Sequence, residues 1–205
     1  KVKVTVVGIG YVGLSNAILL AQHNEVIAYD VSERRVEQLN ARVCPIDDPE
    51  MSTFLANECL SLSATCDPEQ AFKNADFIIL AVPTDYEPST NYFNTSTVVE
   101  VIQTALQIND HASIVIKSTI PVGFTRRMRT RFQTDRIIFS PEFLREGRAL
   151  HDNLYPSRIV IGDISPAAKN FSRLMCQGAI ASDIQVLFTE SDEAEAVKLF
   201  SNAYL

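Results

Sequence analysis

The segment that most constrains the fold is Gly8-Ile9-Gly10-Tyr11-Val12-Gly13, a GxGxxG pattern. It directly follows an apolar run from Val2 to Val7, which predicts a buried strand, and it opens a segment from Tyr11 to Gln22 of helical composition. In such a turn the first glycine permits a tight bend, the second lets a diphosphate approach the backbone, and the third allows helix and strand to pack closely. The pattern therefore predicts a dinucleotide-binding turn, with a purely structural glycine turn as the alternative.

An acidic residue supports this interpretation. Asp30 ends the second predicted strand, Glu25 to Asp30, close to the roughly 20-residue spacing from the glycine motif that dinucleotide sites use. Its carboxylate can accept hydrogen bonds from both adenosine ribose hydroxyls, and it would repel a 2′-phosphate, so NAD is favoured over NADP. Arg34 and Arg35 leave an alternative open, because either could bind a 2′-phosphate. Otherwise Arg35 stacks near the adenine and Arg34 is solvated.

Strand-like and helix-like segments alternate along the rest of the chain. Further strands are predicted at Asp76–Val82, Ser113–Lys117, Arg136–Phe139, Arg158–Ile161 and Ile184–Phe188. Helices are predicted at Ser32–Leu39, after Pro49, from Asp67, and at Thr97–Ile108, Pro121–Phe132 and Pro166–Gln177. Parallel strands need crossover connections, and helices in those crossovers cover both faces of the sheet. We therefore expect an α/β fold with a doubly wound, mostly parallel sheet of the Rossmann type.

The end of the chain differs from the rest. Thr189 and Asp192 have the spacing of a capping box, and Ala194 to Leu205 has strongly helical composition without a Gly, Pro or basic stop signal. We expect residues 1–188 to form the nucleotide-binding domain and residues 189–205 to begin a long central connecting helix, with the natural protein continuing beyond it.

Charge and composition exclude several classes of protein. A hydrophobic share of 46% indicates a globular chain, and a net charge of −7 argues against a nucleic-acid partner. The one basic cluster, Arg126 to Arg131, has the spacing of an amphipathic helix. No apolar run is long enough for a membrane span. The cysteines form no CxxC pair and the histidines no metal-ligating pattern, so we expect no metal and a reducing, cytoplasmic compartment.

Chemically useful side chains follow three later segments. A turn with two hydroxyls, Ser118 to Gly123, follows one predicted strand, and Ser140 to Gly147 brings two carboxylates after the next. Because the carboxyl ends of parallel strands line the ligand crevice, both turns are expected there. Lys198 and Asn202 stand four residues apart on the last helix, where the lysine could polarise an anionic oxygen. A capped surface turn and a snorkelling surface lysine remain the alternatives.

Taken together, the motifs resemble the UDP-glucose/GDP-mannose dehydrogenase family. The resemblance covers essentially the whole chain and is carried by these segments: GIGYVG, VPTDY to NYFNTST, KSTIPVG, SPEFLREGRALHDNLYPSRIVIG and EAEAVKLFSNAYL. It implies oxidation of the C6 alcohol of a nucleotide sugar, UDP-glucose, to a carboxylate with two NAD, through an aldehyde and a cysteine thioester. It also implies a homodimer for the full-length protein.

The resemblance also implies the roles of individual residues. The implied cofactor contacts are Gly8, Ile9, Gly10, Tyr11, Val12, Gly13, Asp30, Arg35, Val82, Pro83, Thr84, Ser118, Thr119 and Glu146. The implied substrate contacts are Glu142, Phe143, Leu144, Arg145, Glu146, Lys198 and Asn202. Among these, Thr119 and Glu142 are implied to handle water and protons, and Lys198 and Asn202 to donate hydrogen bonds to the oxygen that becomes anionic.

One family feature is absent from the sequence. The nucleophilic cysteine of the family lies in a GGxCxPKD motif, and none of Cys44, Cys59, Cys66 and Cys176 stands in such a motif. Without a thiolate no thioester forms, so we expect this chain to bind NAD without completing the oxidation. Two alternatives stay open: a dehydrogenase for another nucleotide sugar, such as UDP-N-acetylmannosamine or GDP-mannose, and a non-catalytic NAD-binding module.

Overall fold

A six-stranded parallel sheet forms the centre of the computed structural model, which describes residues 1–204. The strands are β1 (Lys3–Val7), β2 (Glu25–Tyr29), β3 (Leu62–Thr65), β4 (Phe77–Leu80), β5 (Asp85–Glu87), β6 (Tyr92–Asn94), β7 (Ser113–Ile116), β8 (Ile137–Phe139), β9 (Arg158–Ile161) and β10 (Gln185–Phe188). The sheet order is β3-β2-β1-β4-β7-β8. The order reverses between β1 and β4, so a crevice opens at the carboxyl ends of these two strands. The predicted α/β fold class is confirmed.

Helices cover both faces of this sheet. They are α1 (Tyr11–Ala21), α2 (Glu33–Asn40), α3 (Pro49–Asn57), α4 (Pro68–Phe72), α5 (Ser96–Ile108), α6 (Phe124–Phe132), α7 (Ala149–Leu154), α8 (Pro166–Gly178) and α9 (Ser191–Tyr204). One core contains the buried faces of α1, α3, α7 and α8, and the other those of α4, α5 and α6. None of the helices in residues 1–204 is both long and apolar enough to cross a bilayer. The predicted helix end, Leu205, lies outside the described part of the chain.

Local sequence signals account for most of these elements. All four residues of β4 are buried, as its continuous apolar run predicts for a central parallel strand. The predicted helix starts are confirmed at Ser32 and Asp67, whose side chains accept hydrogen bonds from backbone N–H groups of the first turn. The capping box predicted at Thr189 and Asp192 is absent, because α9 starts at Ser191 and Asp192 pairs with Arg126.

Five elements differ from the sequence prediction. Strand β3 and helix α7 were not predicted, because neither shows a clear hydrophobic periodicity. Strand β3 mixes polar and apolar residues at the sheet edge, and α7 has only six residues. The predicted loop Pro83–Ser96 contains the short antiparallel hairpin β5–β6, whose polar strands lie outside the main sheet. Helix α6 begins at Phe124 rather than Pro121, because Gly123 adopts φ +88° at its N-cap.

The last strands and helix pack beside the sheet edge. Strands β9 and β10 form a separate parallel pair, and an isolated bridge from Phe139 to Gly162 joins them to β8. Helix α9 passes closely over this bridge: a Cβ on Gly162 would lie 2.9 Å from the Cβ of Ala194. This packing brings the polar side of α9 to the carboxyl end of the sheet.

Candidate active site

The glycine turn between β1 and α1 has the geometry that its sequence predicts. Gly8 adopts φ +99°, and a Cβ there would lie 2.7 Å from the carbonyl oxygen of Ala81 on the neighbouring strand. A Cβ on Gly13 would lie 1.7 Å from the carbonyl oxygen of Gly8. The first and third glycines are therefore required for the turn and for the close contact between helix and strand.

The second glycine borders open space. Gly10 is the N-cap of α1, no side chain caps this helix, and the first turn contains no acidic residue. A Cβ on Gly10 would meet no protein atom within 4 Å. The free N–H groups and the partial positive charge of the helix N-terminus therefore face a space that a diphosphate can enter. This arrangement fits the diphosphate of a dinucleotide.

Asp30 lies beside this turn at the end of β2. Its Oδ2 accepts a hydrogen bond from the Ile9 N–H at 2.8 Å, and its Oδ1 accepts one from the Ser32 N–H at 2.9 Å. Arg35 lies 4.0 Å from the same carboxylate and donates to the carbonyl oxygen of Ile9. These bonds fix the carboxylate while each oxygen retains a lone pair for a ribose hydroxyl.

A cavity of about 420 Å³ opens next to Asp30. Its lining residues include Gly8, Asp30, Arg35, Val82 and Pro83 from the predicted cofactor set, with Val101 and Thr104 of α5 on the other wall. Most of this lining is apolar, as a flat heteroaromatic ring requires. The cavity has the position and character of a site for the adenosine half of a dinucleotide.

Side chains cross-link the carboxyl ends of β4 and β7. Ser118 donates through its hydroxyl to the Val82 carbonyl at 2.6 Å, and Thr84 donates to the Thr119 carbonyl at 2.6 Å. The predicted cofactor residues of the two turns therefore form one continuous rim. Val82 of this rim also lines the cavity beside Asp30.

A buried ion pair joins the turn after β8 to helix α9. The Lys198 ammonium donates to the Glu142 carbonyl oxygen at 2.6 Å and to Glu142 Oε1 at 3.1 Å, and the two side chains are only 7% and 11% exposed. Glu142 Oε2 accepts a hydrogen bond from the Leu144 N–H at 2.6 Å. The snorkelling alternative for Lys198 is wrong, because its ammonium is buried against this carboxylate.

A second cavity, of about 670 Å³, lies on the other side of this pair. It is lined by the turn from Glu142 to Arg145, by Tyr155 to Ile159 and by Ser201 of α9. The guanidinium of Arg158 and the ammonium of Lys198 lie 5.0 Å and 5.5 Å from the ring centroid of Phe143. The aromatic ring of Phe143 in the cavity wall therefore has two cationic side chains beside it, and one of them, Arg158, lines the cavity.

Arg145 and Asp152 form a fixed pair at the mouth of this cavity. Arg145 Nη2 lies 2.7 Å from Asp152 Oδ1, and its backbone N–H donates to Asp152 Oδ2. Burial acts to raise the pKa of Asp152, but the hydrogen bonds and the charge of Arg145 outweigh it and lower that pKa. Asp152 therefore holds Arg145 in place as a carboxylate.

Tyr11 links the glycine turn electrostatically to the turn after β8. Burial raises the pKa of the Tyr11 phenol, and the negative charges of Glu142 and Glu146 raise it further. The glycine turn is therefore close enough to the carboxylate turn for their charges to interact. A dinucleotide on the glycine turn and a second molecule in the larger cavity would be neighbours.

Two predicted site residues of this region are exposed to solvent. Glu146 and Asn202 are exposed and do not line either cavity. Asn202 lies one helical turn beyond Lys198, as its spacing predicts, but among residues 1–204 no side chain forms a hydrogen bond with it. Their roles remain predictions.

Two buried residues of this region were not predicted. Lys117 follows β7 and lines the larger cavity, and its signal in the sequence was a lysine at the end of the apolar run SIVIK. Glu195 of α9 is fully buried and accepts hydrogen bonds from the N–H groups of Gly123 and Thr125 at 3.1 Å each. No local pattern could have shown that contact, because the partners are 70 and 72 residues apart.

Cysteines do not contribute to the described cavities. Cys44, Cys59, Cys66 and Cys176 are all free, and none lines either cavity within residues 1–204. Burial raises the pKa of Cys176, and burial together with nearby carboxylates raises that of Cys66. Both effects favour the thiol over the thiolate nucleophile. Within the same residues, no group of three or more His, Cys, Asp or Glu side chains could hold a metal ion.

Comparison with known proteins agrees with this geometry. A family model described as the NAD binding domain of the UDP-glucose/GDP-mannose dehydrogenase family matches residues 2–177. A UDP-glucose 6-dehydrogenase of Streptococcus pneumoniae is 48% identical over 209 residues, which cover 99% of this chain and 53% of that protein. The chain thus spans about half the length of the curated relatives it matches.

Solved structures show the same fold. A UDP-glucose dehydrogenase of Pyrobaculum islandicum aligns with a TM-score of 0.85 and 29% identity, over 99% of this chain and 49% of the other. A UDP-D-ManNAc dehydrogenase of Pyrococcus horikoshii aligns with a TM-score of 0.87 and 26% identity, over 98% and 50%. The expectation of an NAD cofactor is confirmed by the family match. With its glycine turn, its two cavities and these matches, the chain belongs to the UDP-glucose/GDP-mannose dehydrogenase family.

Proposed function

We propose that this chain is the NAD-binding part of an enzyme that oxidises the C6 alcohol of UDP-glucose to UDP-glucuronate. The observation that carries the proposal is the buried Lys198–Glu142 pair beside the glycine turn, because a hydrogen-bond donor next to a carboxylate supports the oxidation of an alcohol near the cofactor. The name of the relative from Streptococcus pneumoniae supports UDP-glucose as the substrate. Four free thiols favour a cytoplasmic enzyme.

The glycine turn and Asp30 would hold NAD, which would supply the acceptor for the hydride from C6. In this proposal Lys198 donates a hydrogen bond to the C6 oxygen as negative charge develops on it, with Asn202 as a second donor. Glu142, together with Thr119, positions a water and takes up the proton. Removing one preorganised donor from an anionic oxygen typically costs about 10²–10³-fold in rate.

We also propose that residues 189–205 begin a helix connecting this NAD-binding domain to a second domain. The second oxidation needs a thiolate, and the cysteines of this chain lie outside both cavities. The 205-residue chain would therefore bind NAD without forming the carboxylate product. The longer protein would act as a homodimer.

An alternative concerns the sugar. The structural similarity to a UDP-D-ManNAc dehydrogenase leaves another nucleotide sugar as the runner-up substrate. Purified natural protein carrying this chain would be mixed with NAD and UDP-glucose, UDP-N-acetylmannosamine or GDP-mannose, and NADH would be followed by absorbance. We expect NADH with UDP-glucose; NADH with only another sugar would select the runner-up, and NADH with none would favour the non-catalytic module.

The role of the ion pair is tested in the same assay. Lys198→Met should lower kcat by about 10²–10³-fold while NAD affinity changes little, because the lysine contacts the Glu142 turn rather than the glycine turn. Lys73→Met serves as the matched control, since Lys73 is exposed at the end of α4. Equal activity of the two variants would contradict the role of Lys198.

A further inference from the structure

The larger cavity contains a buried lysine that the proposed mechanism does not use. Lys117 is 4% exposed, and its ammonium lies 3.3 Å from the hydroxyl oxygen of Ser140. That hydroxyl donates its own proton to the Val160 carbonyl at 2.8 Å, so its oxygen is free to accept from the lysine. Within the described part of the chain, no carboxylate forms an ion pair with Lys117.

The surroundings of Lys117 form a compact group of charges. Its ammonium lies 5.4 Å from the ring centroid of Phe171 on α8. Glu142 from the turn after β8 and Lys198 from α9 are the charged groups whose fields reach it. The other charged side chains of the cavity wall are Arg158 and the mutually paired Arg145 and Asp152.

This position is unfavourable for a lysine. Burial lowers the pKa of Lys117 to about 8; the charge of Glu142 opposes that change and the charge of Lys198 adds to it. A buried ammonium that lacks an ion pair reduces the stability of the folded chain, and an apolar side chain of similar length would remove that penalty. Packing therefore does not explain why this position holds a lysine. An effect of its charge on the neighbouring Lys198–Glu142 pair does.

We propose that Lys117 is a positioning residue for the oxidation, whose positive charge makes the cluster of Lys117, Glu142 and Lys198 cationic. Without it, Lys198 and Glu142 neutralise each other. With it, the cluster stabilises negative charge on an oxygen next to Lys198, and the burial of these side chains weakens the screening of that charge. This inference rests on the proposed function, because it assumes that an oxygen becomes anionic beside Lys198.

The charge of Lys117 should make kcat depend on pH. Lys117 is protonated below about pH 8 and loses its charge above that value. The wild-type kcat should therefore fall as the pH rises through about 8. In Lys117→Met the rate should be low at neutral pH and should lack that fall, because the titrating group is gone.

The first experiment compares Lys117→Met with the wild type in the natural protein that carries this chain. We expect kcat at pH 7 to fall by about tenfold or more, with the Kd for NAD unchanged. Lys169→Met is the control, because Lys169 is exposed on α8, the helix that also carries Phe171. A kcat within twofold of the wild type, or an alkaline limb that persists in Lys117→Met, would overturn the proposal.

The second experiment measures stability by urea unfolding at pH 7 and does not depend on turnover. We expect Lys117→Met to be at least as stable as the wild type, because it removes a buried charge and keeps the length of the side chain. If Lys117 had only a structural role, Lys117→Met would be less stable than the wild type. Such a loss of stability would overturn the proposal even if no sugar were oxidised. Absence of turnover in the wild type would instead count against the proposed function.

A second variant tests the contact with Ser140. Ser140→Ala removes the hydrogen-bond acceptor of the ammonium, so the proton of Lys117 should be lost at a lower pH. We expect the alkaline fall of kcat to move to lower pH while the rate at pH 6.5 stays close to that of the wild type. If kcat of Ser140→Ala fell at the same pH as kcat of the wild type, the role of Lys117 would be contradicted.

Discussion

At the scale of single residues, Asp30 should determine which dinucleotide binds. Asp30→Asn keeps the size of the side chain but removes its charge and one hydrogen-bond acceptor, so we expect the Kd for NAD to rise by about 10–100-fold. The Kd for NADP should rise less, because repulsion of its 2′-phosphate is removed. Titration calorimetry with both cofactors checks this, with exposed Asp110→Asn as the control. Equal losses for the two cofactors would show that Asp30 does not discriminate between them.

Lys117 gives a second prediction at this scale, for stability against pH. Folding lowers the pKa of this base from 10.5 to about 8, so between these values the unfolded chain binds more protons than the folded one. The penalty of its burial is therefore constant below pH 8 and is relieved as the pH rises to 10.5, by up to about 3 kcal/mol. The free energy of unfolding of the wild type relative to Lys117→Met should rise by about 2–3 kcal/mol from pH 7 to pH 10, as measured by urea titrations at the two pH values. A difference independent of pH would contradict the assignment.

At the scale of elements, two glycines of the turn between β1 and α1 should have different roles, Gly13 in stability and Gly10 in NAD binding. In Gly13→Ala the new Cβ would meet the Gly8 carbonyl oxygen, so helix and strand must move apart and the Tm should fall sharply. In Gly10→Ala the Cβ meets no protein atom, so the Tm should change little. That Cβ would occupy the space in front of the helix N-terminus, and NAD affinity should fall by at least about tenfold. Thermal unfolding and calorimetry of both variants test this, and unchanged NAD binding by Gly10→Ala would exclude the turn as the diphosphate site.

The N-terminus of helix α6 is capped by a side chain from α9, an element distant in sequence. Its N-terminus has no cap of its own, because Gly123 supplies only the backbone conformation. Glu195 supplies the missing acceptor from α9, bonding the N–H groups of Gly123 and Thr125 and the Thr125 hydroxyl. Burial raises the pKa of Glu195, and these hydrogen bonds oppose that change. Arg126 and Arg129 of α6 pair with Asp192 and Asp163, so the basic cluster is partly neutralised.

At the scale of the whole molecule, residues 189–204 hold Lys198, one of the proposed catalytic residues, against the turn after β8. A chain ending at Phe188 would lose Ala194, Glu195 and Lys198 from their buried positions. We expect such a chain to fold with a lower Tm and to bind NAD with a Kd within about tenfold of the parent, because the glycine turn and Asp30 follow β1 and β2 and are separated from the edge strand β8 by β4 and β7. Thermal unfolding and calorimetry decide this. Failure to fold would show that residues 189–205 belong to the NAD-binding domain itself.

The sequence by itself determined the elements that local patterns encode. Apolar runs mark the central strands, Ser32 and Asp67 mark helix starts, and the glycine motif with Asp30 marks the cofactor site. Each of these signals lies within a short window, because strand period, helix caps and glycine conformation depend on neighbouring residues alone. The family resemblance added Glu142 and Lys198 as partners in one site, and the structure places them in contact.

Only the tertiary structure decided what depends on contacts between remote segments. Lys117 is an ordinary lysine in the sequence, and its buried place between Ser140 and Phe171 exists only when β7, β8 and α8 are assembled. In the sequence Glu195 is likewise an ordinary acidic residue, and its contact with α6 forms only when α9 packs against that helix. Burial and charge environment are properties of the assembled chain, because they depend on which atoms replace water around a group, and no local pattern specifies those atoms.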